Sequence, residues 1–357
     1  MESSVHNTKK LLYITVKQTP YRTLFFNHLA TLCDLTVLYE YGDPGTRNKQ
    51  WAQSEQVSHR YVCLHEETSS TFMSLIRMMR WVYREKWDGI IIGCWNLRVE
   101  LLAMLVMRLL GKSFTLNLDG EYFLNGSSIR QRLKRLLVKS ANSYVIAGEQ
   151  SAKGLRKIVG NKPVVVYNFS SLTNEEIHQK SMQETKRGES VLVVGRDYYV
   201  KGMDLIVPIA RMNPAIHYKV IGMGEAGIAS FKQANDLSGI QNIEFVPFLQ
   251  KTDLDKEYQT CKMLLLPSRQ ECWGLVVNEA AAFGTPIVST YGSGAAVEFL
   301  QEAYPQYLAE PDHARALYRC IERLFADEKV GAYSQFLKEK SKQYSIEYSA
   351  QAHIEIL

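Results

Sequence analysis

Pro267–Thr290 reads PSRQECWGLVVNEAAAFGTPIVST. A short apolar run, Met263–Leu266, precedes it, and the stretch closes on another, Ile287–Thr290. Between them come a polar loop with Glu271, a helix-like run Leu275–Phe283 with Glu279, and a Gly-Thr-Pro turn. Strand, loop, helix, turn and strand make a βαβ unit, and such units bind ligands at the carboxyl ends of their strands. Glu279 points inward from the apolar run VVNEAAAF. A carboxylate there needs a partner, because burying it unpaired costs roughly several kcal/mol. Two acceptor groups aimed into one cleft suit a ligand rich in hydroxyls. The alternative is an acid near a helix start that only complements the macrodipole.

The pattern repeats on both sides. Strand-like runs fall at Leu11–Val16, Leu35–Tyr39, Tyr61–Leu64, Gly89–Gly93, Ser113–Leu118, Ser143–Ala147 and Pro163–Tyr167. A second series falls at Val191–Gly195, Tyr218–Gly222, Ile243–Val246, Met263–Leu266 and Ile287–Thr290. Helical patterns separate most of them, among them Asp204–Met212 and Ala226–Asn235, and the chain reads as helical from Asp312 onward. Strands alternating with helices predict parallel α/β sheets. The polar stretch Thr173–Glu189 has no apolar period and reads as a linker. The expected organisation is a first Rossmann-like domain over 1–172, a linker over 173–189, a second such domain over 190–335, and a C-terminal helix over 336–357.

At 357 residues, with 46% hydrophobic and 22% charged, the chain is long enough for two globular domains. No apolar run approaches the roughly 20 residues of a membrane span. The start MESSVHNTKK lacks a signal-peptide core, and six scattered cysteines (33, 63, 94, 261, 272, 320) show no CxxC spacing. A cytoplasmic protein with reduced thiols is expected. Residues 1–172 hold 23 Lys and Arg against 13 Asp and Glu, whereas 173–357 hold 19 against 24. The basic half predicts an anionic partner; no nucleic-acid module is recognised.

Residues 271–280, ECWGLVVNEA, carry a resemblance to a known family. The segment resembles the glutamate-x7-glutamate signature of retaining glycosyltransferases of family 4. It is most similar to the branch that builds capsular and other surface polysaccharides, with Trp273, Gly274 and Leu275 inside the matching run. The resemblance implies the GT-B fold, two Rossmann-like α/β domains facing a central cleft. It also implies that Glu271 hydrogen-bonds the donor sugar and that Glu279 binds the ribose of the nucleotide.

Other motifs align with that expectation. VLVVGRDYYVKGMDL, 191–205, is a strand, a glycine turn and a helix start. Arg196 and Lys201 suit a diphosphate, and Arg binds one bidentately. They also suit the charge that grows on a departing phosphate; the alternative is two solvated loop cations. The resemblance includes this Gly195-Arg-x4-Lys-Gly pattern and implies diphosphate binding. Gly222-Met-Gly224-Glu-Ala-Gly227 spells GxGxxG, but Glu244 sits mid-strand, where it cannot reach a ribose. The motif instead resembles the family's Val-Gly-x-Gly turn, with Gly222 and Gly224 near the nucleotide. The small residues of Tyr291–Ala296 are either an anion-binding nest or a plain tight turn.

In the first half, Leu116–Glu121 ends a strand with acids at 119 and 121 around Gly120. Asp119 is either a turn former or a group that holds a sugar or assists acceptor deprotonation. The family's glycine-rich first loop is missing: Lys17–Arg22 has no glycine, and Arg22 is the substitute anion contact. Asn168–Leu172 reads as a hinge. Ser127–Lys139, SSIRQRLKRLLVK, is an amphipathic helix capped by Ser128. Its stripe of Ile129, Leu133, Leu136 and Leu137 is expected in the domain core, with Arg130, Arg132, Lys134, Arg135 and Lys139 flanking it. Phe72–Lys86 adds Arg77, Arg80, Arg84 and Lys86 among large apolar residues. These cations predict peripheral binding to an anionic inner-membrane surface.

The activity expected is transfer of a hexose from a nucleotide-diphosphate sugar to a glycan or a polyprenyl-diphosphate-linked acceptor. No Asp-x-Asp metal motif is recognised, and neither a metal nor a cofactor is expected. A GT-B nucleotide-sugar epimerase, a nicotinamide oxidoreductase and a non-catalytic membrane scaffold are the alternatives.

Overall fold

The computed structural model describes residues 9–41, 56–65, 71–93, 98–120, 128–196 and 199–357. Cys94, Glu121, Ser127 and most of the opening MESSVHNTKK lie outside these, as does the side chain of Arg130.

Two compact units divide the chain: residues 1–171 with 346–357, and residues 172–345. The first holds a seven-stranded, all-parallel sheet. Its strands are β1 (Lys10–Lys17), β2 (Asp34–Tyr41), β3 (Arg60–His65), β4 (Gly89–Ile92), β5 (Thr115–Leu118), β6 (Ser143–Ala147) and β7 (Val164–Tyr167), in the order β3-β2-β1-β4-β5-β6-β7. The second holds β8 (Val191–Val194), β9 (Tyr218–Ile221), β10 (Ile243–Val246), β11 (Met263–Leu266), β12 (Ile287–Thr290) and β13 (Leu308–Ala309). Their order is β10-β9-β8-β11-β12-β13, again all parallel. Central strands such as β11, MLLL, are buried at every position, as strands covered by helices on both faces must be. Each sheet reverses its strand order once, between β1 and β4 and between β8 and β11. Such switch points leave a crevice at the strand carboxyl ends.

Every strand expected from the sequence is present; the two-residue β13 was not foreseen. Three other elements differ from expectation. The segment read as a linker contains helix Asn174–Met182, opened by a Thr173/Glu176 capping box. Its short apolar contribution is Ile177, which packs with Leu172 and Ala282 in the second unit. Arg187 fastens the rest, donating to the carbonyls of Tyr258 (2.9 Å) and Phe283 (2.9 Å) and to Thr285 Oγ1 (3.1 Å).

The end of the chain forms three helices, Ala314–Phe325, Val330–Ser341 and Ile346–Ile354. The first two belong to the second unit and the last to the first unit. There Ala350 joins the core of Leu11, Tyr13 and Phe26.

The amphipathic helix runs from Ile129 to Val138 and has the expected Ser128 cap, with Gln131 completing a capping box. Its stripe is not core. Ile129 is 85% exposed, Leu133 58% and Leu136 65%, and only Val138 is fully buried. Helical spacing identified one apolar face; it could not say that the neighbouring helix Arg98–Leu109 would leave that face open.

Candidate functional site

The second unit brings Lys201 and Glu271 together. Lys201 ends a 3₁₀ turn, Tyr199–Lys201, after β8, and Glu271 lies in the loop after β11. They flank the switch point and form an ion pair. The Glu271 backbone is fixed on both sides: its N–H donates to Gly292 (2.8 Å) and its carbonyl accepts from Gly294 (3.2 Å). Gly202 must be glycine, because it has φ +66° and a Cβ there would lie 2.0 Å from the Pro267 carbonyl oxygen. That close approach presses the Lys201 turn against the Glu271 loop. Arg196 follows β8 and is exposed; Asp197 and Tyr198 lie outside the described residues.

Gly195 and Gly222 bring two strand ends close together. Gly222 has φ +105°, and a Cβ on it would stand 3.1 Å from the Gly195 carbonyl oxygen. Gly224, at φ +70°, opens helix Gly224–Ala234 with open space around its Cα. Glu244 lies inside edge strand β10 beside Lys219 (4.0 Å), not at the strand end where a dinucleotide ribose would need it.

Glu279 lies on helix Leu275–Ala282 and is half-buried. Its Oε2 accepts from the buried Tyr258 hydroxyl at 2.9 Å. Burial, and then the Glu279 charge, push the Tyr258 phenol well above its usual range, so it stays a donor. Trp273 is buried and donates from Nε1 to Asn278 Oδ1 at 2.8 Å, which gives it a packing role beside Glu271. Gly274, at φ +103°, sits where a Cβ would come within 3.2 Å of Glu271 Cγ. Leu275 is half-buried at the helix start.

One open alternative is decided and one expectation needs correction. Of the two readings of Tyr291–Ala296, the hydrogen bonds favour the tight turn over an open nest. Gly292 N–H donates to Thr290 Oγ1 (3.1 Å), Gly294 N–H to Glu271 (3.2 Å), Ala295 N–H to Trp273 (2.9 Å) and Ala296 N–H to Ser293 Oγ (3.4 Å). Two of these donors, on Gly294 and Ala295, hold the Glu271 loop, and the other two close the turn on itself. An Asp-x-Asp sequence does occur, at Asp253-Leu254-Asp255. It lies in helix Lys251–Thr260, with Asp253 paired to Lys256 (2.8 Å) and Asp255 to Lys180. Both acids already serve as lysine partners.

In the first unit, Asp119 follows β5 at the centre of a polar network. Arg22 binds its Oδ2 at 2.8 Å and also donates to Thr15 Oγ1 at 3.2 Å. Oδ1 accepts from Asn117 (3.1 Å) and from the Tyr167 hydroxyl (2.9 Å). Arg22, read above as an anion contact, is therefore the partner of Asp119. His353, on the last helix, reaches Asn117 Oδ1 at 3.0 Å. Sequence reading missed His353, since 236 residues separate it from Asn117 and no local pattern marks it.

Two parallel Rossmann-like sheets, one in each unit, make the fold class GT-B. Residues 174–344, nearly all of the second unit, match the family model described as Glycosyl transferases group 1. A protein of Haemophilus influenzae described as an uncharacterized glycosyltransferase is 23% identical over 264 residues, 72% of this chain and 70% of that one. Glycogen synthase of Thermus thermophilus is 27% identical over 165 residues, which is 46% of this chain but only 37% of the synthase. Among solved structures, HepE of Anabaena in complex with UDP-glucose superposes with a TM-score of 0.72 at 13% identity, covering 97% of this chain and 100% of HepE. WaaG, described as a glycosyltransferase involved in lipopolysaccharide biosynthesis, gives 0.66 at 12% identity, covering 97% and 99%.

Proposed function

We propose that the protein is a retaining glycosyltransferase that moves a sugar from a nucleotide-diphosphate sugar to a glycan or polyprenyl-diphosphate-linked acceptor in surface polysaccharide synthesis. The observation that carries this reading is the Lys201–Glu271 pair at the second sheet's switch point. The UDP-glucose bound by HepE and the pathway named for WaaG support it. Lys201 and Arg196 would hold the diphosphate, Glu271 the sugar hydroxyls and Glu279 the ribose. Asp119, braced by Arg22, would serve the acceptor. The bond from the anomeric carbon to the diphosphate breaks while the acceptor oxygen bonds on the same face. The acceptor proton passes to the departing diphosphate, whose charge the two cations stabilise. No step is routed through a metal or cofactor.

A thermal-shift panel of nucleoside diphosphates and nucleotide sugars tests the reading, because a ligand of the native state raises the melting temperature. The productive donor is then incubated with acceptor glycans and the anomeric configuration of the product read by NMR. An inverted product overturns retention. Free epimerised sugar without an acceptor makes the protein an epimerase instead.

Association with an anionic inner-membrane surface belongs to the same proposal. Among the described residues no helix is long and apolar enough to cross a membrane. The exposed Ile129, Leu133 and Leu136 lie on the helix that carries Arg132 and Lys134, and the neighbouring helix Arg98–Leu109 exposes Leu102, Leu105 and Leu109. Apolar side chains among cations suit the boundary between acyl chains and anionic headgroups.

A further inference from the structure

Arg269 stands two residues before Glu271 in the loop after β11. Nη1 and Nη2 grip the two oxygens of Asp204 at 2.6 and 2.7 Å. Nε donates to Asp312 Oδ1 at 2.8 Å, and Nη2 lies 2.7 Å from the same oxygen. Nη1 also donates to the Tyr199 carbonyl at 2.8 Å. A guanidinium has five N–H donors; four hydrogen bonds and a further ion-pair contact to Asp312 occupy this one. The plane of the group stacks 3.9 Å from the centre of the Tyr199 ring.

Three loops are therefore tied to one side chain. Tyr199 belongs to the turn that ends at Lys201, Asp204 to the next 3₁₀ turn, and Asp312 to the loop after β13. A backbone hydrogen bond from Gln270 to Val200 (2.9 Å) runs alongside. Asp312 adds an independent sign. It has φ +64°, the one non-glycine residue with positive φ among those described. A non-glycine residue is held in that conformation only where its surroundings impose it. Here the left-handed backbone aims the carboxylate at Arg269.

We propose that Arg269 is the positioning residue for Lys201: by gripping the Tyr199–Lys201 turn from the Glu271 loop, it sets where the Lys201 ammonium meets a nucleotide diphosphate. The proposal rests on the donor-binding reading of Lys201. With its side chain only 11% exposed and held by two carboxylates and a carbonyl, Arg269 is committed to protein partners rather than to a phosphate. Its effect reaches the ligand only through the turn that it holds.

A double-mutant cycle tests this, with Lys201→Ala, Arg269→Ala and the double variant. Uridine, guanosine and adenosine diphosphates and their parent nucleosides are titrated by calorimetry, and the tightest diphosphate is followed. Arg269→Ala is expected to weaken that diphosphate about tenfold, a change worth about 1.4 kcal/mol, and to spare the nucleoside. In the Lys201→Ala background the same change is expected to cost less than about twofold, because coupled residues do not add. Arg269→Lys keeps the charge but loses the planar fork, and should fall between parent and alanine variant.

Losses that multiply in the double variant, or a nucleoside affinity that falls with that of the diphosphate, overturn the positioning role. A Lys201→Ala protein that binds diphosphate like the parent overturns the donor reading, and the positioning role with it. Should Arg269→Ala fail to fold, Asp312→Asn replaces it in the cycle; it removes one carboxylate and leaves the Asp204 grip intact. The same diphosphate-selective, Lys201-dependent loss is then expected, and additive losses again overturn the proposal.

Discussion

Lys201 and Glu271 are ion-paired across the switch point of the second sheet, each supplied by the loop that follows its own strand. On the proposed donor-binding reading, a diphosphate entering this place would compete with the carboxylate for the ammonium. The ion pair fixes the two side chains against each other. Taking Glu271 as the group freed toward sugar hydroxyls, the two residues change partners in one event.

That exchange predicts opposite effects from the two halves of the pair. Lys201→Ala should lower turnover by roughly 2–4 kcal/mol of transition-state stabilisation and weaken the free nucleoside diphosphate. Glu271→Gln should leave binding of the free nucleoside diphosphate intact or tighter, while transfer falls. Calorimetry with the diphosphate alone, beside a transfer assay, decides it. Equal loss of diphosphate affinity in both variants refutes the exchange.

Glu279 should govern the nucleoside part. Glu279→Gln is expected to weaken nucleoside and nucleotide sugar alike. Tyr258→Phe removes the 2.9 Å hydrogen bond that orients the carboxylate and should produce a smaller loss of the same kind, about 1 kcal/mol. Nucleoside titrations read both. An effect confined to the diphosphate would move Glu279 out of the ribose role.

Two histidines of the first unit predict a pH dependence of stability. Burial pushes His353 down to about 4, against the pull of its contact with the Ser349 carbonyl, and burial also pushes His59 down to about 4. In the unfolded chain both return to the ordinary value of 6.5. Between those values the unfolded state binds more protons, so stability rises with pH through that window and is lost as pH falls from 6.5 toward 4. Each contributes at most about 3 kcal/mol. Amide exchange of β1 and β5 at pH 7.5 and pH 5 measures the difference. The His59→Gln and His353→Gln proteins should show a flatter response; a flat parent sinks the assignment.

The exposed face of helix Ile129–Val138 makes a prediction about lipid. Vesicles containing anionic lipid should sediment the protein, and rising salt should weaken but not abolish binding, since only the charge term is screened. Ile129→Ser, Leu133→Ser and Leu136→Ser together should reduce binding at high salt without lowering stability, because these side chains are already exposed in the fold. Arg132→Gln with Lys139→Gln should act at low salt. Unaltered sedimentation in both variants assigns the face to another partner.

Much of the fold was legible because parallel strands buried on both faces stand out as short apolar runs, as VLVV at 191–194 and MLLL at 263–266 do. The placement of Glu271, Lys201 and Glu279 just beyond such runs was legible from the pattern, whereas the roles expected of them came from the family resemblance. What escaped was tertiary. Helix Asn174–Met182 buries little beyond Ile177 and Lys180, so it shows no period; its capping box was the readable signal. The exposed stripe at Ile129, Leu133 and Leu136 has the spacing of a core face, and spacing carries no information about what lies opposite. The Arg22–Asp119 pair and the Arg269 grip join residues that share no local pattern.

The last helix also has a consequence for the order of folding during synthesis. Domains generally fold as units, N-terminal first, as the chain emerges. Here the sheet of β1–β7 is complete in sequence by Tyr167, yet Ala350 and His353, which close its core and its polar network, are made about 180 residues later. The ribosome must therefore release the second unit before the first can reach its final form. Until then Leu11, Tyr13 and Phe26 wait for their cover, and a chain halted early would leave that apolar surface open to chaperones.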